Sequence, residues 1–287
     1  VTITCAPLLL RRAARGPSAE SLQSEGPRRT AEWGSLVLLG VSDALNASLF
    51  FAAMSVTTVA IAVLSHYLAP VFVAAFAPAV LGLPRDRRAV RLALLGVCGL
   101  ALVLEPWRFS FGGGAAGRAL LGALLGAGSA VFYATNVLVT KRIGARFTAE
   151  EQLVYHSVLS VLLLVGAAAA LRAPLPTGAG VLRVAVASVV VGATAGLLFL
   201  YGLRKIRAEH AGMLTFLEPL TAVVVAWIAW GERPGFLALI GGAVVVLSGA
   251  LALRGTPEIT PLSAAAGHPP EGAVGTSRAR GPRSTAA

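Results

Sequence analysis

The chain has 287 residues, 56% of them hydrophobic and only 13% charged, with a net charge of +11 and a mean hydropathy of +0.78. Ordinary soluble domains carry about 25% charged residues, and no soluble core hides several apolar blocks of roughly 20 residues each, so a soluble fold is excluded. The basic excess lies between apolar blocks and is not interleaved with aromatics, which excludes a nucleic-acid platform.

Val1 to Leu10 are apolar but too few to cross a bilayer, and they run into Arg11, Arg12 and Arg15. No basic segment precedes them and no small-residue cleavage site follows, so they read as the end of a helix or a surface stub rather than a signal peptide. Apolar spans are expected at 33–54, 59–82, 89–105, 118–139, 151–171, 182–203, 210–230 and 236–253. The expected fold is therefore an all-α polytopic membrane bundle with about eight complete spans. Gly112 to Gly114 form a loop with no Lys-Ser/Thr after it, so it is no phosphate loop. Gly122 and Gly126 sit four apart and predict close helix packing. Residues 255–287, with Gly267-His268-Pro269-Pro270, are too poor in apolar surface to offset their ordering entropy and are expected to be a disordered tail. The cysteines, Cys5 and Cys98, imply neither a disulfide nor a metal site.

The loop charges predict an orientation. One set of alternate loops holds Arg11, Arg12, Arg15, Arg28 and Arg29, then Arg85, Arg87, Arg88 and Arg91, then Lys141, Arg142 and Arg146, then Arg204, Lys205 and Arg207: 15 basic residues. The opposite set holds five: Arg108, Arg118, Arg172, Arg183 and Arg233. This asymmetry places the first set and the C-terminal tail in the cytoplasm of a cell (inner) membrane protein.

An internal repeat is also present. Sliding the sequence by 149 residues lays 43–82 on 192–231 without a gap, with eight of 40 positions identical. Leu49-Phe50 meets Leu198-Phe199, Leu68 and Pro70 meet Leu217 and Pro219, and Gly82 meets Gly231. The matched helices are five spans apart, an odd offset that turns the copies over, and inverted repeats are a hallmark of secondary transporters.

The segment from Ala211 through Leu217-Glu218-Pro219 to Gly231-Glu232-Arg233 closely resembles the ninth helix of the EamA branch of the drug/metabolite transporter superfamily. Gly241-Gly242 and Gly249 resemble that family's last span, Leu68-Ala69-Pro70 to Gly82 its fourth helix, and Tyr133 to Arg142 its sixth. The resemblance runs from residue 33 to 254. It implies ten helices in two inverted five-helix repeats, here 1–105 (N-terminally incomplete, with Val1 to Leu10 as the end of helix two) and 118–254. Leu83 stands where the first repeat's counterpart of Glu232 is expected.

An ionisable group in the hydrocarbon layer costs a contested 2.5–3.5 kcal/mol, approximately, or more, so each such group needs a partner or a wet cavity. Glu218 lies about 12 Å into its span by residue count, and Pro219 after it frees backbone carbonyls, which together suit a proton- or amine-binding carboxylate. Asp43, near a midplane, forms a polar stripe with Ser42 and Asn46. His66 is the repeat mate of Thr215 and has an ordinary pKa suited to proton coupling. His156 with Tyr155, and Asn136 one turn from Tyr133, complete the substrate- or proton-binding candidates. For each, an alternative is plain helix-to-helix hydrogen bonding. Pro70, Pro219 and Glu232 are structural or gate candidates.

A secondary transporter, and more narrowly an exporter, of small metabolites or amphipathic solutes, proton-coupled or exchanging, fits best. Its partners are the lipid bilayer and a small-molecule substrate, with no nucleic acid and no cofactor. The alternatives are a non-transporting membrane subunit or truncated remnant, and, less fitting, an intramembrane enzyme. Only four histidines occur, at 66, 156, 210 and 268, without metal spacing, and no Gly-x-Ser-x-Gly appears, so no enzyme is expected. An alkaline phosphatase fused after Arg254 is expected to be inactive, and a green fluorescent protein fused there fluorescent; active phosphatase would reverse the orientation.

Overall fold

The computed structural model describes residues 30–108, 115–173, 178–231 and 233–254. Residues 1–29 and 255–287, including the expected tail, lie outside these, as does Glu232. Eleven α-helices follow in order: α1 Thr30–Val56, α2 Val59–His66, α3 Ala69–Leu81, α4 Arg87–Leu104, α5 Ala115–Ile143, α6 Ala149–Ala170, α7 Gly178–Ala187, α8 Thr194–Lys205, α9 Ala208–Leu214, α10 Leu217–Trp230 and α11 Phe236–Leu253. They fall into eight successive helical runs, each overlapping one expected span. No strand occurs among the described residues, as expected where lipid offers the backbone no hydrogen bonds.

Six of the runs are long and apolar enough to cross a membrane. The other two fall short of that measure for local reasons. Arg87, Arg88 and Arg91 crowd the start of α4. A wide π-helical segment, Ser188–Ala193, interrupts the run between α7 and α8.

Two runs expected as single helices are each interrupted once. Val59–Leu81 breaks at Tyr67 and Leu68, and Ala208–Trp230 at Thr215 and Phe216. Each break precedes a proline, Pro70 and Pro219, which lacks the amide an unbroken helix needs. Tight i→i−3 bonds close the second break: Phe216 N–H to Met213 O at 3.2 Å and Glu218 N–H to Thr215 O at 3.0 Å. The carbonyl of Thr215, expected to be freed by Pro219, is thus accepting a bond.

The 149-residue offset is legible in the helices themselves. Adding 149 to the bounds of α4 gives those of α11, and the end of α1 falls on the end of α8. Gly82 and Gly231, the paired glycines, both terminate helices with positive φ, 67° and 71°, a conformation that a side chain would strain.

Contacts show that these mates run antiparallel. The Arg88 guanidinium at the start of α4 donates to Leu251 O near the end of α11, at 2.9 Å. Farther along, the backbones of Gly99 and Gly241 meet so closely that a Cβ on Gly241 would lie 2.4 Å from Gly99 O. The other pair of mates crosses at the breaks, where Tyr67 stacks on Phe216 with centroids 6.0 Å apart.

Around this pairing, α5 runs against α1, α2 and α3. The expected close packing at Gly122 and Gly126 is present: a Cβ there would fall 2.1 Å from Thr57 Cγ2 and 2.0 Å from Ser65 Oγ. Small residues are the usual means of joining helices in lipid, where apolar surface alone provides no attraction between them. Leu120, Leu124, Leu162, Val165 and Ile228 remain exposed, as a lipid-facing surface requires.

The basic end of the bundle is tied by its own cations. Lys141 Nζ donates to Leu203 O and Ile206 O, both at 2.6 Å, and to Arg204 O at 3.2 Å, satisfying carbonyls that end α8. Arg204 donates to Phe147 O, and Arg146 pairs with Glu32 at 2.9 Å. Thr148 and Glu151 form a capping box on α6. Ala77, Val137, Leu203, Ala208 and Ala211 bury one another at this end.

The two repeats are not packed alike. Helix α9 lies on α3, with Gly212 against Pro70, whereas their repeat counterparts α2 and α10 scarcely touch. No residue of α10 is buried.

Replacing Gly241 by Val should separate α4 from α11 and lower stability by about 2–3 kcal/mol, read from the denaturant midpoint in detergent. Gly249→Ala, where nothing lies within 4 Å of the new Cβ, should be neutral or slightly stabilising.

Candidate functional site

The polar side chains of the middle layer form short bridges between helices. Asn46 on α1, Ser129 on α5 and His66 at the end of α2 are linked in a row. Ser129 Oγ donates to Asn46 Oδ1 at 2.8 Å, and His66 Nδ1 lies 2.8 Å from the same Oγ. A hydroxyl has one proton to give. With that proton on the Asn46 side, His66 must donate from Nδ1.

The His66 ring is held by aromatic neighbours. Phe50 lies 4.7 Å away between centroids, and Tyr133 meets it edge-on at 5.5 Å. Tyr67, the next residue, also meets it edge-on, at 5.8 Å. The Tyr67 hydroxyl donates to Glu218 Oε2 at 2.7 Å. The carboxylate at the break of the second repeat is therefore held by the tyrosine at the break of the first. Glu218 is otherwise exposed, and no cation pairs with it among the described residues.

Glu218, His66 and Tyr133 thus belong to one constellation, with Asn46 at its edge. The other candidates lie elsewhere. Asp43 accepts from Ser160 Oγ at 2.7 Å, and the same hydroxyl lies 2.9 Å from Gly40 O, an arrangement that ties α1 to α6. Asn136 bonds Ser42 between α5 and α1. His156 Nδ1 bonds the carbonyl of Gln152, one turn back in its own helix. Pro70 and Pro219 stand at the two breaks.

Two members of the constellation, Tyr67 and Ser129, were not singled out from the sequence. A lone hydroxyl in an apolar helix carries no local signal. The repeat alignment does carry one for Tyr67, since it pairs Tyr67 with Phe216, three residues before each proline. Among the described residues no group of His, Cys, Asp or Glu is arranged to hold a metal ion.

Long apolar helices joined through small residues, with a polar layer at mid-depth, define a multi-pass membrane protein of the transporter type. The chain belongs to the EamA-like transporter family, whose model matches residues 3–105 and 120–254, within the drug/metabolite transporter superfamily. An uncharacterized transporter of Archaeoglobus fulgidus is 29% identical over 226 residues, covering 76% of this chain and 76% of the relative. A solved crystal structure of a protein superposes with a TM-score of 0.69 at 22% identity, covering 88% of this chain and 84% of the other, a likeness of fold. The family places the chain among membrane transporters.

Ser129→Ala removes the bridge between Asn46 and His66, both half-buried, and should lower stability by about 1 kcal/mol. Ser35→Ala, whose hydroxyl bonds only Ala31 O of its own helix, should change stability by less than about 0.5 kcal/mol. Denaturant titrations of the two variants in detergent compare them directly.

Proposed function

We propose that the chain is a secondary transporter, an exporter of small metabolites or amphipathic solutes, with Glu218 as the central charged group that binds proton or substrate. The observation that carries this reading is the Tyr67–Glu218 bond at the breaks of the two repeats. In this reading the one carboxylate of α10 faces the opposite repeat, with no cation paired to it among the described residues. A charge in such a place is costly unless it is titrated or balanced by a ligand.

The unequal packing supports a direction of access. The bundle is sealed at its Arg-rich end by α9 on α3, and parted at the other end, where α2 and α10 scarcely touch. With the Arg-rich end and the C-terminal tail in the cytoplasm of the cell membrane, this conformation opens outward. Exchange of packing between repeats 1–105 and 118–254 carries the site to the other face, as in transporters built from inverted repeats. The break residues supply the flexible points, and Pro70 and Pro219 keep them from closing into continuous helix.

The test is transport of a panel of small solutes by protein in proteoliposomes under an imposed pH gradient. Glu218→Gln keeps shape and is expected to insert and fold normally while abolishing pH-dependent transport; Glu218→Asp is expected to retain part of it. Normal transport by Glu218→Gln from pH 5 to 9 would sink the proposal. Failure of that variant to fold would instead make the carboxylate a tie between repeats.

A further inference from the structure

Five basic residues near the Arg-rich end have an internal task. Lys141, Arg88 and Arg204 satisfy carbonyls. Arg146 pairs with Glu32, and Arg207 with Glu209. Arg87 and Arg91 on α4 are different. Both are exposed, and neither makes a hydrogen bond or ion pair with any described residue. They lie one turn apart and, with Val90, line an open groove of about 500 Å³.

The nearest acid does not fill it. Asp86 Oδ1 is occupied with the amides of Arg88 and Ala89, at 2.9 and 3.0 Å, and its Oδ2 lies 4.0 Å from Arg207. Those bonds also cap the start of α4.

Below the arginines, the same face of α4 is apolar. Leu94, Leu95 and Cys98 are exposed and fall with Arg87 and Arg91 on one helical stripe, at i, i+4, i+7, i+8 and i+11. The opposite stripe, Ala89, Ala93, Gly96 and Leu100, is buried in the bundle. The outward face therefore offers two unpaired guanidiniums at the membrane boundary and an apolar track leading into the hydrocarbon layer.

We propose that the groove between Arg87 and Arg91 is a binding site for an anionic glycerophospholipid. The two guanidiniums hold the headgroup phosphate, and an acyl chain lies along Leu94, Leu95 and Cys98. Planar guanidinium forks match phosphate oxygens in pairs, and basic pockets at the ends of spans are suited to anionic headgroups. The apolar track selects a lipid over a free phosphate ion, which would use the arginines alone.

The experiment is native mass spectrometry of the purified full chain with added phosphatidylglycerol or phosphatidylcholine. Wild-type protein is expected to hold phosphatidylglycerol about tenfold more tightly than phosphatidylcholine. Arg87→Gln with Arg91→Gln should abolish that preference. Arg85→Gln with Arg142→Gln, the same change of charge outside the groove, should keep most of it. Equal loss in both double variants would reduce the effect to diffuse surface charge and overturn the proposal. So would undiminished preference in the groove variant, or full displacement of the lipid by inorganic phosphate. A thermal melt accompanies each protein. Should the Gln pair lower stability, Arg87→Lys with Arg91→Lys decides the matter, since it keeps charge and stem but not the fork: retention of the full preference overturns the two-guanidinium site.

Discussion

The backbone contact between α4 and α11 is what the rest of the bundle is arranged around. In lipid, two apolar helices gain nothing from hiding their side chains from water. They hold together through dispersion, which falls off within an ångström, and so through backbones that can touch. Gly99 and Gly241 permit that contact between the last helices of the two repeats. The antiparallel mates, joined there and latched by Arg88 on Leu251, set the distance at which the broken helices cross. That distance in turn lets Tyr67 reach Glu218.

The polar layer follows a different economy. Several hydroxyls, amides and rings in it are matched to a neighbour from another helix, as at Ser129 between Asn46 and His66, Ser160 on Asp43, and Ser42 on Asn136. Such pairs in membranes contribute modestly, on the order of 0.6 kcal/mol each. Their larger effect is on register, since sliding a helix by one residue would leave several polar groups facing hydrocarbon. Glu218 stands apart because Tyr67, its hydrogen-bond partner among the described residues, donates a neutral bond and no charge.

Much of this architecture was legible in the sequence. The eight runs follow from apolar blocks and the loop residues between them. The offset of 149 residues located the paired glycines before any helix was seen. The breaks were only half legible: Pro70 and Pro219 marked their positions, but the i→i−3 bonds that close the second one depend on backbone geometry no residue type announces. The partners of the polar residues were not legible at all. Asp43 and Ser160 are 117 positions apart, and a lone serine such as Ser129 looks the same in sequence whether it faces lipid, its own helix or a histidine. His156 reads like His66 in isolation, and only packing distinguishes a ring turned to its own backbone from one held between helices.

Tyr67 and Phe216 are separated by the repeat offset itself, so two mates that touch must sit on the pseudo-two-fold axis. A contact on such an axis survives when the halves trade shapes, which makes the stacked rings a hinge pin and not a door. Contacts off the axis have no such protection. Gly212 lets α9 rest on Pro70, but the mirrored contact would press Val63 against Pro219, with an isopropyl group where a hydrogen now lies. If the halves trade shapes as proposed, the two shapes would accordingly be unequal in energy, the present one being favoured by sequence alone, and trimming a single side chain far from any charge would shift the balance between them.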